Sequence, residues 1–247
     1  MSEMRAAIAA EWTKLWTTRT VWWALVAALV LMAAGAGQYA IYADNGDVDP
    51  ALLRDGVVPP GTVAVLALAF AQLAFLALAM LVMTGEYSTG TMRATLTWIP
   101  ARGRLLLAKS VVVAAVTFVA GTVAGLVGAS ISVALIGGRV SAGPVLGIGV
   151  YLALLGVFAV GLGAVLRGPV VTLVVLLMLV VVLPPLLQLP EIGVLTAIAD
   201  GLPGVAGNHF LLGDSDPYAP GLGLLIVTGW AVAAFLAGRG ELRRRDA

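Results

Sequence analysis

Cysteine is absent from all 247 residues, and histidine occurs once. Without cysteine the chain has no disulfide, no thiolate nucleophile and no Cys-ligated metal. His209 has no His-x-x-x-His partner, so the ligand set of a membrane metalloenzyme is missing too; in GNHFLLGD it reads as a polar loop residue. Charge is equally scarce. Only 11% of residues are Asp, Glu, Lys or Arg, against 61% hydrophobic ones, and the formal net charge is +1. So small a balance offers no general attraction to nucleic acid, and what matters is where the few charges lie.

What is present is apolar length. A mean hydropathy of +1.04 and runs of about twenty apolar residues do not fit a water-soluble core. They predict an all-α polytopic membrane protein, a single transmembrane domain over 1–247. Six spans are expected: about Val21 to Tyr42, Thr62 to Thr84, within Leu105 to Ile136, Val145 to Leu166, Val170 to Leu189, and Pro220 to Leu236. Trp22, Trp23, Tyr39 and Tyr42 flank the first as interfacial aromatics. A signal peptide is a poor alternative for that first run, which is too long and follows a polar lead. RGP at 167–169 makes the fourth and fifth spans a hairpin, and LPP at 183–185 is expected to break the fifth helix. The segment 190–219 reads as a re-entrant or interfacial element.

The basic residues set the orientation. If the N-terminus, 85–109, Arg167 and the C-terminus share one side, twelve of the fourteen Lys and Arg lie there, whereas the other side keeps Arg54, Arg139 and eight of thirteen acids. By the positive-inside rule both termini are cytoplasmic. The Ala, Val, Leu and Gly bias with few lysines fits a GC-rich bacterium, hence a bacterial cell membrane. Residues 1–20 form an interfacial amphipathic helix, with Ile8, Trp12, Leu15 and Trp16 on one face and Arg5, Glu11 and Lys14 on the other.

Within the spans no Asp, Glu, Lys or Arg lies near a centre, and the polar inventory is Gln72, a few Ser and Thr, and Gln188 near an end. An intramembrane charge costs about 2.5–3.5 kcal/mol, and carriers driven by ions retain such charges because the mechanism uses them. An ion-coupled transporter is therefore the least supported reading. Gly121, Ala124, Gly125 and Gly128 give the third span a small face for close helix packing. GRLLLAKS, 103–110, imitates a phosphate-binding loop but has Ala108 in place of the second glycine and runs straight into a membrane helix. It lacks the strand-to-helix loop which that chemistry needs. Lys109 reads instead as a snorkelling lysine.

The segment 85–104 is the most informative polar stretch. STGT at 88–91 supplies N-capping side chains, TMRATLTWI makes a short helix with Met92, Leu96 and Ile99 on one face, and Pro100 ends it. A short helix held between two long ones, apolar on one side, is built to dock.

The stretch EYSTGTMRATLTWIPARGRLLLAK resembles the integral-membrane permeases of the type 2 ABC exporters, in the pattern E-x-x-x-G-T-x-x-x-x-L-x-x-x-P-x-x-R followed by a lysine. EWTKLWTTRTVWW before the first span and six spans with a basic tail add to it. The resemblance implies a permease subunit for efflux, without an ATPase site or cofactor of its own. It would work as a homodimer or heterodimer on two ATPase subunits that bind ATP and Mg, with no nucleic acid partner. The expected cargo is a small amphipathic or apolar compound such as a drug, antibiotic or peptide, moving at the dimer interface between spans one, two and five. It further implies that Glu86, Gly90, Thr91, Arg93, Leu96, Pro100, Arg102 and Arg104 form a cytoplasmic coupling element, and that Ile8, Trp12, Lys14, Leu15 and Trp16 belong to the interfacial helix. The short outer loops depart from the larger exporters of this family, which carry an outer domain. A non-transporting membrane subunit that recruits an ATPase for immunity or sensing is the alternative. Alkaline phosphatase fused at residue 48 should be active, as an extracytoplasmic enzyme is; activity from a cytoplasmic reporter at the same point would overturn the topology.

Overall fold

The computed structural model describes residues 2–54, 56–92, 101–213 and 215–244. Among them it is helical, with no strand. We number the helices α1 (Ser2–Thr17), α2 (Arg19–Asn45), α3 (Pro60–Ser88), α4 (Arg102–Ile136), α5 (Ala142–Leu166), α6 (Pro169–Gln188), α7 (Gly193–Asp200), α8 (Pro203–Leu212) and α9 (Pro220–Arg244). Six of these, α2 to α6 and α9, are long and apolar enough to cross a membrane.

Backbone chemistry sets the boundaries. Prolines occupy the first turns of α3, α6 and α8, where a missing N–H costs nothing. Gly46 and Gly213 close α2 and α8 in the left-handed conformation that lacks a Cβ penalty. Five of the six spans outrun their expected apolar limits, the fifth is only shifted by one residue, and α9 continues to Arg244 through Arg239, Glu241 and Arg243. Hydropathy marks only the immersed part, whereas the helical hydrogen-bond ladder persists into the polar margin.

The fifth span departs from expectation. LPP does not break it: a π-helical turn, Met178–Val182, widens α6, and Pro184 and Pro185 sit in the first turn of the segment that carries the helix on to Gln188. Residues 190–219 hold α7 and α8, which fold back against the far end of the bundle. Ala206 is fully buried there, and Trp230 Nε1 of α9 donates to the Gly201 carbonyl at 2.8 Å. His209, expected in a loop, lies in α8 with its ring 5.0 Å from that of Tyr218.

Helices α3, α4 and α5 form the centre. Of the 18-residue core of α5, 61% is buried, compared with 22% in α6 and 28% in both α2 and α9, so the last three line the outside. Lipid tails supply no hydrophobic drive between helices, and close backbone approach takes its place. The small face of α4 does meet its neighbours: Gly121 and Gly125 abut Leu152, Ile148 and Val145 of α5, and Gly128 abuts Met32 and Ala64. A backbone-on-backbone seam joins α5 to α9, where a Cβ on Gly161 would stand 2.5 Å from the Ala234 carbonyl carbon.

The start of α1 and the end of α9 lie at one end of the bundle. Arg104 at the start of α4 pairs with Glu3 of α1, and Arg102 Nη1 donates to the Leu242 carbonyl of α9 at 2.7 Å. Because the atoms facing Gly161 are backbone and cannot turn away, Gly161→Ala should destabilise the fold by about 1–3 kcal/mol. Gly229→Ala, with nothing within 4 Å, should leave it unchanged or slightly firmer. Apparent melting temperatures in detergent measure the contrast.

Candidate functional site

At the end that carries the termini, α1 meets α2 at a sharp elbow. Thr18 alone is non-helical between them, with an extended backbone, and its hydroxyl donates back to the Lys14 carbonyl at 2.9 Å. Trp16 is ringed by Trp12 and Trp22, and the Trp22 indole N–H donates to the Trp16 carbonyl at 3.2 Å. Leu15 and Val21, on either side of the elbow, pack with Leu78 of α3 and with Val112 and Val116 of α4. This small apolar cluster fixes the height of α1 against two spans.

The buried stripe of α1 is not the one expected. Ala7, Glu11 and Leu15, four residues apart, face inward, whereas Trp12 is exposed and Ile8 and Trp16 are half-buried. Glu11, expected on the polar face, is 3% exposed. Opposite it lies Lys109, expected to snorkel to the surface, which has no exposed area at all.

The two are joined in a closed ring. Lys109 Nζ lies 2.7 Å from Glu11 Oε2 and 2.6 Å from Glu86 Oε1; Lys14 Nζ lies 2.6 Å from the same Glu86 oxygen and 3.1 Å from Glu11 Oε1. The third Lys109 proton reaches the Val82 carbonyl at 3.3 Å. Each carboxylate thus bridges both ammonium groups, and the four charges cancel. A buried Lys109 could not persist alone, because taking an ion out of water costs several kcal/mol that only well-placed partners offset. Two partners on different helices do so here.

Lys14 closes the ring on its wetter side, with its side chain about half-buried. Burial works against its ammonium form, but the hydrogen bonds and attraction from Glu86 and Glu11 outweigh burial and raise its pKa above the ordinary 10.5. The stability that this cation contributes is therefore complete below pH 10.5 and lost as pH rises through the raised value. Glu86 Oε2 is buried with no hydrogen-bond partner among the described residues. Beside the ring a cavity of about 500 Å³ opens between the elbow and α3, lined by Thr18, Val21, Leu81, Thr89 and the ring itself.

Of the other residues singled out by sequence, Gly90, Thr91, Arg102 and Arg104 are described. Gly90 turns the chain after α3 in the left-handed conformation, and the hydroxyls of Thr89 and Thr91 meet at 2.9 Å. Arg102 and Arg104 make the interhelical ties given above. Arg93, Leu96 and Pro100, and with them the expected short helix, lie outside the described residues. Met92, just before them, is buried in the main core. Residues 103–110, the imitation of a phosphate loop, are continuous helix. Sequence reasoning missed Glu11 and Lys109; the signal was a lysine placed behind three leucines, with carboxylates at two points of a chain that has few.

Lys109→Met strands two carboxylates in a dry site and should cost ~3–5 kcal/mol. Lys14→Met, at the wet margin, should cost no more than about 1 kcal/mol. Apparent melting temperatures of the two variants, with Glu11→Gln added to Lys109→Met as the partial rescue, test the ring; equal losses would show that Lys109 is not its keystone.

The geometry joins α1 to the ends of two spans, α3 and α4, and this is the region the comparison with known proteins covers. No curated protein matches the chain. Residues 7–189, which contain α1 from Ala7, five of the six spans and all four charges of the ring, match the family described as ABC-2 family transporter protein. The chain belongs to that family, as a membrane-embedded permease component of an ABC transporter.

Proposed function

We propose that the chain is the substrate-conducting subunit of an ATP-driven exporter in a bacterial plasma membrane, and that the charge ring is the joint through which the ATPase moves it. Both termini lie in the cytoplasm, two permeases pair, and each receives one separate ATPase subunit that binds ATP and Mg. The observation that carries this reading is the ring. It fastens α1 to the last turn of α3 and the second turn of α4, the two ends between which 89–101 is strung.

A partner that pushes on 89–101 therefore displaces α3, α4 and α1 together, and α1 passes the motion through Thr18 into α2. In this reading Glu86, Gly90, Thr91, Arg93, Leu96, Pro100, Arg102 and Arg104 form the receiving surface, with Glu11 and Lys109 as the fastening behind it. The cavity beside the ring gives the elbow room to shift. The cargo is a small amphipathic or apolar compound, since no intramembrane charge pair is available to hold an ion.

Glu86→Gln keeps an acceptor for both lysines while removing the charge, so paired with Arg104→Ala it loosens the joint with less risk to folding than Glu86→Ala. Tagged protein purified from its own host should bring an ATPase subunit with it. In proteoliposomes the double variant should still hydrolyse ATP, but its efflux of fluorescent amphiphiles should fall on the order of tenfold, the scale of a coupling free energy between linked sites. Undiminished efflux would remove the joint from the mechanism. A complex that hydrolyses ATP without any efflux would favour the non-transporting reading.

A further inference from the structure

The chain contains three glutamines and two asparagines, and two of the former and one of the latter line a single cavity at the far end of the bundle. Gln72 of α3, Gln188 of α6 and Asn208 of α8, with Tyr39 and Tyr151, bound a space of about 320 Å³. An amide in apolar surroundings costs free energy unless its hydrogen bonds are made, and these are made poorly. Tyr151, fully buried on α5, donates to Gln72 Oε1 at 3.4 Å, and Gln72 Nε2 reaches the Ala69 carbonyl at 3.5 Å. Both lie at the outer limit of a hydrogen bond. A side chain able to make four bonds makes two long ones and faces a void. Polar groups retained only to hold helices together would close on one another at ordinary distances.

Val180, which lines the cavity, is followed at its fourth and fifth positions by Pro184 and Pro185. Neither proline has an N–H, so the Val180 carbonyl lacks a donor from either an α-helical or a π-helical ladder. It abuts Gly204 of α8, where a Cβ would stand 2.0 Å from the oxygen. The cavity presents amides and phenols beside valine and leucine side chains, and none of the residues that line it is charged.

We propose that this cavity binds the polar portion of a neutral amphipathic molecule that carries amide or hydroxyl groups. The proposal rests on the exporter reading in taking that molecule as cargo. An anion finds no cation here, and a cation finds no carboxylate, so either would be stripped of water without compensation. Gln72 and Tyr151 orient the ligand from the depth of the cavity, and Gln188 and Asn208 meet it at the exposed mouth.

The full-length protein in lipid nanodiscs, with no ATPase present, is titrated with dansyl-leucinamide, which is neutral, and with dansyl-leucine, the same frame ending in a carboxylate; empty nanodiscs give the lipid background. The amide should bind saturably and about tenfold more tightly than the acid. Gln72→Leu and Gln188→Leu should each weaken it about fivefold, the value of one or two hydrogen bonds. Gln188 is exposed, so its variant tests the cavity even if Gln72→Leu fails to fold. Equal binding of the two probes, binding that does not saturate, or wild-type affinity in the folded glutamine variants would overturn the proposal. Because no ATPase enters the assay, failure here leaves the exporter reading standing, and a missing ATPase partner leaves the cavity standing.

Discussion

A lysine with no exposed area in a largely apolar bundle is the constraint on which the termini-bearing end depends. Lys109 needs counter-charges, and α4 carries no acid within its 35 residues. The charges must come from other helices, so whatever supplies them is held in place by electrostatics that lipid cannot replace. Glu86 is supplied by α3, which packs on α4 in any case. Glu11 comes from α1, and the ring adds charge pairing to the apolar cluster around Leu15 that seats this helix on α3 and α4. Lys14 then neutralises the second carboxylate equivalent, and without it the inner trio would carry a net negative charge.

The opposite end solves a different problem with uncharged groups. There α6 is widened by a π-turn and lacks two backbone donors at Pro184 and Pro185, and Gly204 of α8 packs against the Val180 carbonyl. Irregular backbone at such a position is tolerated where protein or a cavity covers it. Between the two ends the bundle is held by small residues, with α4, α5 and α9 in near-backbone contact at Gly125, Gly161 and Gly238. A seam of that kind has no side-chain freedom to absorb displacement, so it transmits motion as a rigid unit.

The spans were legible because immersion in lipid demands an unbroken apolar run, and that demand leaves a mark in every window of about twenty residues. The glycine face of α4 was legible for a similar reason: spacing alone places Gly121, Gly125 and Gly128 together. The ring was not. Glu11 shares a polar neighbourhood with Arg5 and Lys14, and a charge is assigned to water by default, although the four-residue spacing of Ala7, Glu11 and Leu15 would equally have placed it inside. Lys109 has a stem long enough to reach the surface, so only the three-dimensional meeting of α1, α3 and α4 decides that it turns inward. The π-turn at Met178–Val182 was unreadable too, since the two prolines announce lost donors without saying whether the helix stops or widens.

On the exporter reading proposed above, the energy for conformational change arrives from an ATPase at one end of the bundle. The ring lies where helices that are not all neighbours in sequence are joined by buried charge: α1 by Glu11 and Lys14, α3 by Glu86, α4 by Lys109. Buried ion pairs suit such a place better than apolar contacts would. An apolar contact weakens gradually as it slides, whereas a shared ammonium exchanges one carboxylate for another at little cost so long as total charge stays balanced and at great cost otherwise. In the proposed mechanism Glu86, whose second oxygen has no partner among the described residues, supplies the acceptor for such an exchange as α1 shifts against α3.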